Sequence, residues 1–126
     1  MRNKIYLWLS VFWTLLIIFL CLGVSSDFPV IKVDNLDKFV HFSLHLVFVF
    51  NWYLYFESKK QAAQSKLKLN LFLVSLLFGI TIEIIQGALT KTRSADVFDV
   101  IANSFGAVLA LLLIGLFENY FSKDSK

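Results

Sequence analysis

Cysteine, charge and any concentrated basic patch are all scarce in this sequence. A single cysteine, Cys21, among 126 residues excludes an internal disulfide framework and a thiolate-based zinc site. Charged residues make up 17% of the chain, below the roughly 25% of soluble domains. Hydrophobic residues make up 58%, which excludes disorder and leaves a small soluble domain with too little polar surface to face water. The net charge is only +3, and the basic residues are spread over the gaps between apolar runs. A nucleic-acid binder would gather them into one patch. Internal repeats and low-complexity tracts are also missing.

What is present is four long apolar runs. Ile5 to Ser26 holds 22 residues without a charge, Phe39 to Phe56 holds 18, Leu69 to Thr90 holds 22 broken only by Glu83, and Val100 to Phe117 holds 18. Crossing a bilayer core takes roughly 20 apolar residues of helix. Barrel strands would be nearer ten residues and would alternate in polarity, which these runs do not. The expected fold is all-α, a polytopic membrane bundle of four transmembrane helices with short loops. Its spans fall at about 5–26, 38–56, 69–90 and 97–117 of a single domain over residues 1–126. The first run, with its basic start and small residues near Gly23, has a rival reading as a cleaved signal peptide.

The basic residues set an orientation. Arg2, Lys4, Lys59, Lys60, Lys66, Lys68, Lys123 and Lys126 make eight on one side, against Lys32, Lys38, Lys91 and Arg93, four, on the other. The positive-inside bias puts both termini and the Lys-rich middle loop in the cytoplasm. The lysines of that loop are expected to serve orientation alone, and Trp8, Trp13, Trp52 and Tyr53 to face the interface or lipid.

Polar residues inside hydrocarbon mark a functional site by default, and here they sit toward the outward helix ends. Asp37, His41 and His45 share one face of the second helix at i, i+4, i+8, with Lys38 beside them. Ser75, Gly79, Glu83, Gln86 and Thr90 stripe the third helix. Asp96, Asp99, Asn103, Gly106 and Ala110 stripe the fourth, with Arg93 just before it. Glu83 lies about 10 Å below the outer helix end at 1.5 Å per residue, and Asn103 is about as deep. The stripes are expected to enclose one polar pocket open to the outside. Plainer roles compete. Asp34, Asp37 and Asp96 suit helix caps, while Gly79, Gly106 and Ala110 suit close helix contact. Capping does not account for Glu83, Gln86 or Asn103.

At these residues the chain resembles the VanZ-like family of small bacterial membrane proteins. The matching pieces are Asp37-Lys38-x-x-His41-Phe42, Glu83-x-x-Gln86 and Arg93-x-x-Asp96-x-x-Asp99-x-x-x-Asn103-x-x-Gly106, within residues 37–110. His45 stands where the family usually has an aromatic residue, and Ala110 where a second glycine is common. The resemblance implies a four-helix domain in a bacterial inner membrane. It also implies a link to glycopeptide-antibiotic resistance, since the family's namesake lowers sensitivity to teicoplanin.

The functional expectation is a site for a membrane lipid or lipid-linked envelope precursor. Lys38 and Arg93 would hold its anionic group, Arg93 bidentately, with Asp37, Gln86, Asp96 and Asn103 around it. Glu83 or Asp99 would be general base and His41 its proton partner. A divalent metal on His41, Glu83 and Asp99 is a second reading, but no HExxH-like spacing supports it, so neither metal nor cofactor is assigned. A transport path is disfavoured because the inner helix halves carry few polar residues beyond Asn51 and Ser75. A purely structural or partner protein, with the polar residues as a packing network, is the alternative; oligomers are open and nucleic acid is not expected. Reporter fusions at residue 62 are expected to read cytoplasmic and at residue 92 external. The reverse pattern would move the pocket to the other face.

Overall fold

The computed structural model describes residues 1–23, 35–60, 63–89 and 94–123. Helix α1 covers Arg2–Ile18 and runs on into a π-helical turn, Phe19–Gly23. Helices α2 (Leu36–Lys59), α3 (Gln64–Leu89) and α4 (Val97–Lys123) follow. No strand occurs among the described residues. Four stretches of 22, 24, 25 and 24 residues are long and apolar enough to cross a membrane. At 1.5 Å per residue the longer ones reach about 36 Å, more than a hydrocarbon core. The chain is a multi-pass, four-helix membrane protein.

The helices outrun their apolar runs at the Lys-rich connection. α2 continues past Phe56 to Lys59, and α3 begins at Gln64. Lysine stems can lie along apolar surface while their ammonium groups stay in water. Lys59 also favours a helix C-terminus, and its Nζ stands 5.9 Å over the Tyr55 ring. Lys60 then closes α2 in the left-handed conformation at φ 50°.

Polarity is distributed inside out. Trp8, Leu77, Phe105 and Leu112 are 60–70% exposed, as suits a surface bathed in lipid. Ser10, His41, His45, Ser75, Glu83, Gln86, Asp99 and Asn103 are buried. α2 is the central helix and packs on the other three, most extensively on α4.

That α2–α4 contact is backbone on backbone. A Cβ at Gly106 would lie 2.1 Å from the Phe42 carbonyl oxygen and 3.1 Å from the Leu46 nitrogen. Ala107 and Ala110 continue the small face and are buried. The helix-contact reading of Gly106 and Ala110 therefore holds. Gly79 has a different use, since a Cβ there would lie 2.8 Å from Asn103 Nδ2 and 3.2 Å from His45 Cε1. It clears space for polar side chains.

Three aromatic residues expected at the interface face the bundle instead. Trp13 Nε1 donates to the Leu44 carbonyl at 2.9 Å, and Trp52 Nε1 donates to Thr14 Oγ1 at 3.2 Å. Both stitch α1 to α2, because an indole N–H in hydrocarbon needs an internal acceptor. Tyr53 is buried, and its hydroxyl donates to Glu118 of α4. Lys68 donates to the other oxygen of Glu118. Lys68 is thus part of a half-buried α2–α3–α4 clasp, not only a topology signal. Trp8 alone of the four stays exposed.

Gly106→Ala is expected to lower thermal stability in detergent, because helix backbones cannot yield as side chains do; overpacking costs about 1–3 kcal/mol. Gly115→Ala is the matched control. Its Cβ would meet nothing nearer than Lys68 Nζ at 3.9 Å, and helix propensity should raise stability by up to about 1 kcal/mol. Equal melting temperatures for the two variants would refute the backbone contact.

Candidate functional site

Apart from Ser10 on α1, the buried polar residues gather toward the end where α2 and α4 begin and α3 finishes. Helical periodicity brings them there. Asp37 and His41 are one turn apart on α2, Asp99 and Asn103 one turn apart on α4, and Glu83 faces both from α3. His41 is the hub. Its Nδ1 lies 3.2 Å from Asn103 Oδ1 and 3.7 Å from Glu83 Oε1. Its Nε2 lies 3.7 Å from Asp99 Oδ2 and 3.8 Å from Asp37 Oδ1. One carboxylate oxygen of Asp37 and one of Asp99 also lie within 4.8 Å of each other.

The other members are fixed around this hub. Glu83 Oε2 accepts the Asp96 backbone N–H at 3.1 Å, which ties α3 to the start of α4. Asp96 Oδ1 accepts the Phe98 N–H at 2.8 Å, so the capping role holds. Lys38 Nζ sits 3.3 Å from Asp96 Oδ2 and 3.9 Å from Asp99 Oδ1. It is an internal counter-ion as well as a surface cation. Three buried atoms have no hydrogen-bond partner among the described residues: Glu83 Oε1, Asp99 Oδ1 and Asn103 Nδ2.

Of the nine residues expected in the pocket, Asp37, Lys38, His41, Glu83, Asp96, Asp99 and Asn103 are brought together. Gln86 is buried, but its amide nitrogen donates to the Cys21 carbonyl at 2.9 Å. That carbonyl lies in the π-helical turn that ends the first helical segment. Gln86 therefore anchors α3 to the end of α1. Arg93, like the capping candidate Asp34, lies outside the described residues. His45, one turn below His41, bonds Ser75 Oγ at 2.8 Å. Its ring centroid lies 5.9 Å from those of Phe48 and of Phe78. It packs as an aromatic residue would, which accounts for a histidine at this position.

For a metal, the converging ligand atoms are not those of His41, Glu83 and Asp99. One atom each from Asp37, His41 and Asp99 lie within 4.8 Å of one another, while Glu83 faces the opposite ring nitrogen of His41. Beside the cluster runs a groove of about 330 Å³ between α3 and α4, lined by Ile80, Ile84, Val97 and Val100 with Glu83 and Asp96 at its polar edge.

The profile of the VanZ/LLP1 family matches residues 6–118, and the chain belongs to that family. The match takes in most of α1, beyond the motifs of residues 37–110. An uncharacterized protein of Schizosaccharomyces pombe (strain 972 / ATCC 24843) is 35% identical over 113 residues, 89% of this chain and 63% of the relative. The chain thus spans somewhat less than two thirds of that relative. No solved structure matches the chain.

Asp96 stands outside the spans, and its carboxyl is held below the ordinary value of 3.8, first by the Phe98 N–H and then by Lys38. A lowered folded-state value adds stability that is full above the unfolded value and lost as pH falls through the folded one. Acidification from about pH 5 to about pH 3 is expected to lower the melting temperature of the wild type more than that of Asp96→Asn. The asparagine keeps the cap but does not titrate. An equal or steeper fall in the variant would contradict this.

Proposed function

We propose that the protein binds a lipid-anchored ligand at the outward end of its bundle, with the headgroup at the His41 cluster and a chain along the α3–α4 groove. The carrying observation is the set of buried polar atoms without partners among the described residues, Glu83 Oε1, Asp99 Oδ1 and Asn103 Nδ2. A network serving only helix packing would satisfy its own members, since each unmet buried group costs about 1–3 kcal/mol. The groove supports the same reading. Its apolar wall suits a hydrocarbon chain, and its polar edge is Glu83 and Asp96 of the cluster.

The groups also suit proton transfer on a bound headgroup. Asp99 or Glu83 serves as base, and His41, within 3.7 Å of both, passes the proton. Arg93 supplies a bidentate contact to an anionic group from the α3–α4 connection. In this reading both termini are cytoplasmic and the site faces outward, from the inner membrane in a bacterium. A role in glycopeptide resistance belongs to the family's namesake. A relative in a fission yeast favours a ligand shared by bacterial and eukaryotic membranes, a phospholipid before an envelope precursor.

Wild type and the near-isosteric Glu83→Gln variant, purified in mild detergent, provide the test. Mass spectrometry of co-purifying lipids is expected to find a species retained by the wild type and depleted by about tenfold or more in a variant that melts normally; tenfold is the effect of one lost polar contact of about 1.4 kcal/mol. Equal lipid content in the two would favour the packing network.

A further inference from the structure

The polar end of the bundle is acidic. Among the described residues it holds the carboxyls of Asp37, Glu83, Asp96 and Asp99, and its one lysine, Lys38, is already shared between Asp96 and Asp99. A phosphate entering such a pocket meets repulsion from these carboxylates, and a cation held among them would offset it alongside Arg93.

The contacts of His41 show where. Asn103 Oδ1 can only accept, so the 3.2 Å contact puts a proton on His41 Nδ1. In the neutral ring the lone pair is then on Nε2. That nitrogen faces Asp99 Oδ2 at 3.7 Å and Asp37 Oδ1 at 3.8 Å. Three ligand atoms thus converge, with the remaining oxygen of Asp99 buried, without a hydrogen bond among the described residues and 3.9 Å from Lys38 Nζ. Ligand atoms about 2.0–2.2 Å from a common ion stand about 3–4 Å apart. The observed separations lie in that range. Metal-bound histidines also donate their other N–H to a fixed oxygen, which is the role of Asn103 here.

We infer that Asp37, His41 and Asp99 bind a divalent ion of the zinc or manganese class, and that this ion is what admits a phosphate-bearing headgroup to the pocket. One imidazole nitrogen with carboxylate oxygens suits those ions. His41 and Asp99 close the inner side of the site, with side chains 3% and 4% exposed, whereas the Asp37 side chain is 47% exposed. The free coordination positions therefore point outward, where water or a phosphate oxygen can occupy them. Glu83 lies across the ring, beside Nδ1, and stays outside the ligand set. The role given to the ion rests on the lipid-binding reading; the ion site itself does not.

The test uses the full chain in phosphatidylcholine nanodiscs, stripped with EDTA and exposed to Zn²⁺ or Mn²⁺ separately. Elemental analysis after desalting is expected to find about one ion per chain, with melting raised by the ion, as binding to the folded state requires. Asp99→Asn and Asp37→Asn should lose the ion, and Asn103→Leu should bind it about tenfold or more weakly. Asp37 is exposed, so its variant remains informative if a buried substitution misfolds. Folded wild type that takes up no more ion than Asp37→Asn would overturn the site. Short-chain phosphatidic acid and inorganic phosphate are then titrated with and without the ion. Ion-dependent binding of phosphatidic acid alone supports a lipid headgroup, and equal binding of both supports phosphate chemistry at large. Binding of phosphatidic acid that persists in EDTA overturns the ion's bridging role and leaves lipid binding standing. An ion that binds while neither phosphate does keeps the site and overturns the lipid reading.

Discussion

Hydrocarbon accepts no hydrogen bonds, and this constraint decides how the four helices face. A polar side chain at membrane depth must find its partner inside the protein. The third and fourth helices carry Glu83 and Asn103 well inside their spans, so those faces have to turn toward each other and toward α2. The apolar remainder of each helix needs no partner and is left to lipid. The same rule reaches the tryptophans. An indole N–H that could have met water at the interface is instead given to Leu44 or Thr14 across the α1–α2 contact.

Inward polarity alone would give only a loose cluster. Its geometry depends on the close approach at Gly106, whose missing side chain lets α4 lie against the backbone of α2 at Phe42. His41 precedes that point on α2 and Asn103 precedes it on α4, so the contact sets their 3.2 Å separation. α3 is held by its own polar stripe. Glu83 reaches the start of α4 and Gln86 the end of α1. Gly79 leaves the space into which Asn103 and His45 project. Two glycines thus have different uses, one letting backbones meet and one making room for polar side chains.

The apolar runs and the stripes were legible in the sequence because both express a single period against a single solvent. From them came four helices, the shared faces, and the clustering of seven of the nine residues expected together. What escaped has no such periodic signal. Gln86 shares the Glu83 face, but its amide donates to a carbonyl in a π-helical turn, and nothing in Phe19–Gly23 announces that turn. The Tyr53–Glu118–Lys68 clasp joins residues from three helices at a height that composition does not give. Lys68 read as a topology signal because charge counting treats every lysine alike. The metal-ligand grouping also shifted, from Glu83 to Asp37, because ring orientation decides which acid meets which nitrogen of His41. His45 was visible as a departure from the family pattern. Its role emerged only from the rings around it.

Depth orders the site. Lys38 and Asp96 form the outermost pair, each about one third exposed. Asp37, His41 and Asp99 come next, then Asn103 and Glu83, and lowest the bond from His45 to Ser75. Below that the cluster ends on aromatic rings. The Phe48 and Phe78 rings stack at 5.2 Å between centroids, and beyond them lies a mostly apolar cavity of about 570 Å³ lined by Trp52, Phe56 and Leu71, with Thr14 and Asn70 its polar members. A proton or ion that reached His45 would meet an aromatic wall. A carrier needs polar groups along its whole route, because each step into apolar surroundings restores the desolvation cost of the charge. A one-sided pocket needs them only to the depth of its ligand. The graded cluster is polar only down to Phe48 and Phe78, which is the depth the second requirement asks for and not the first.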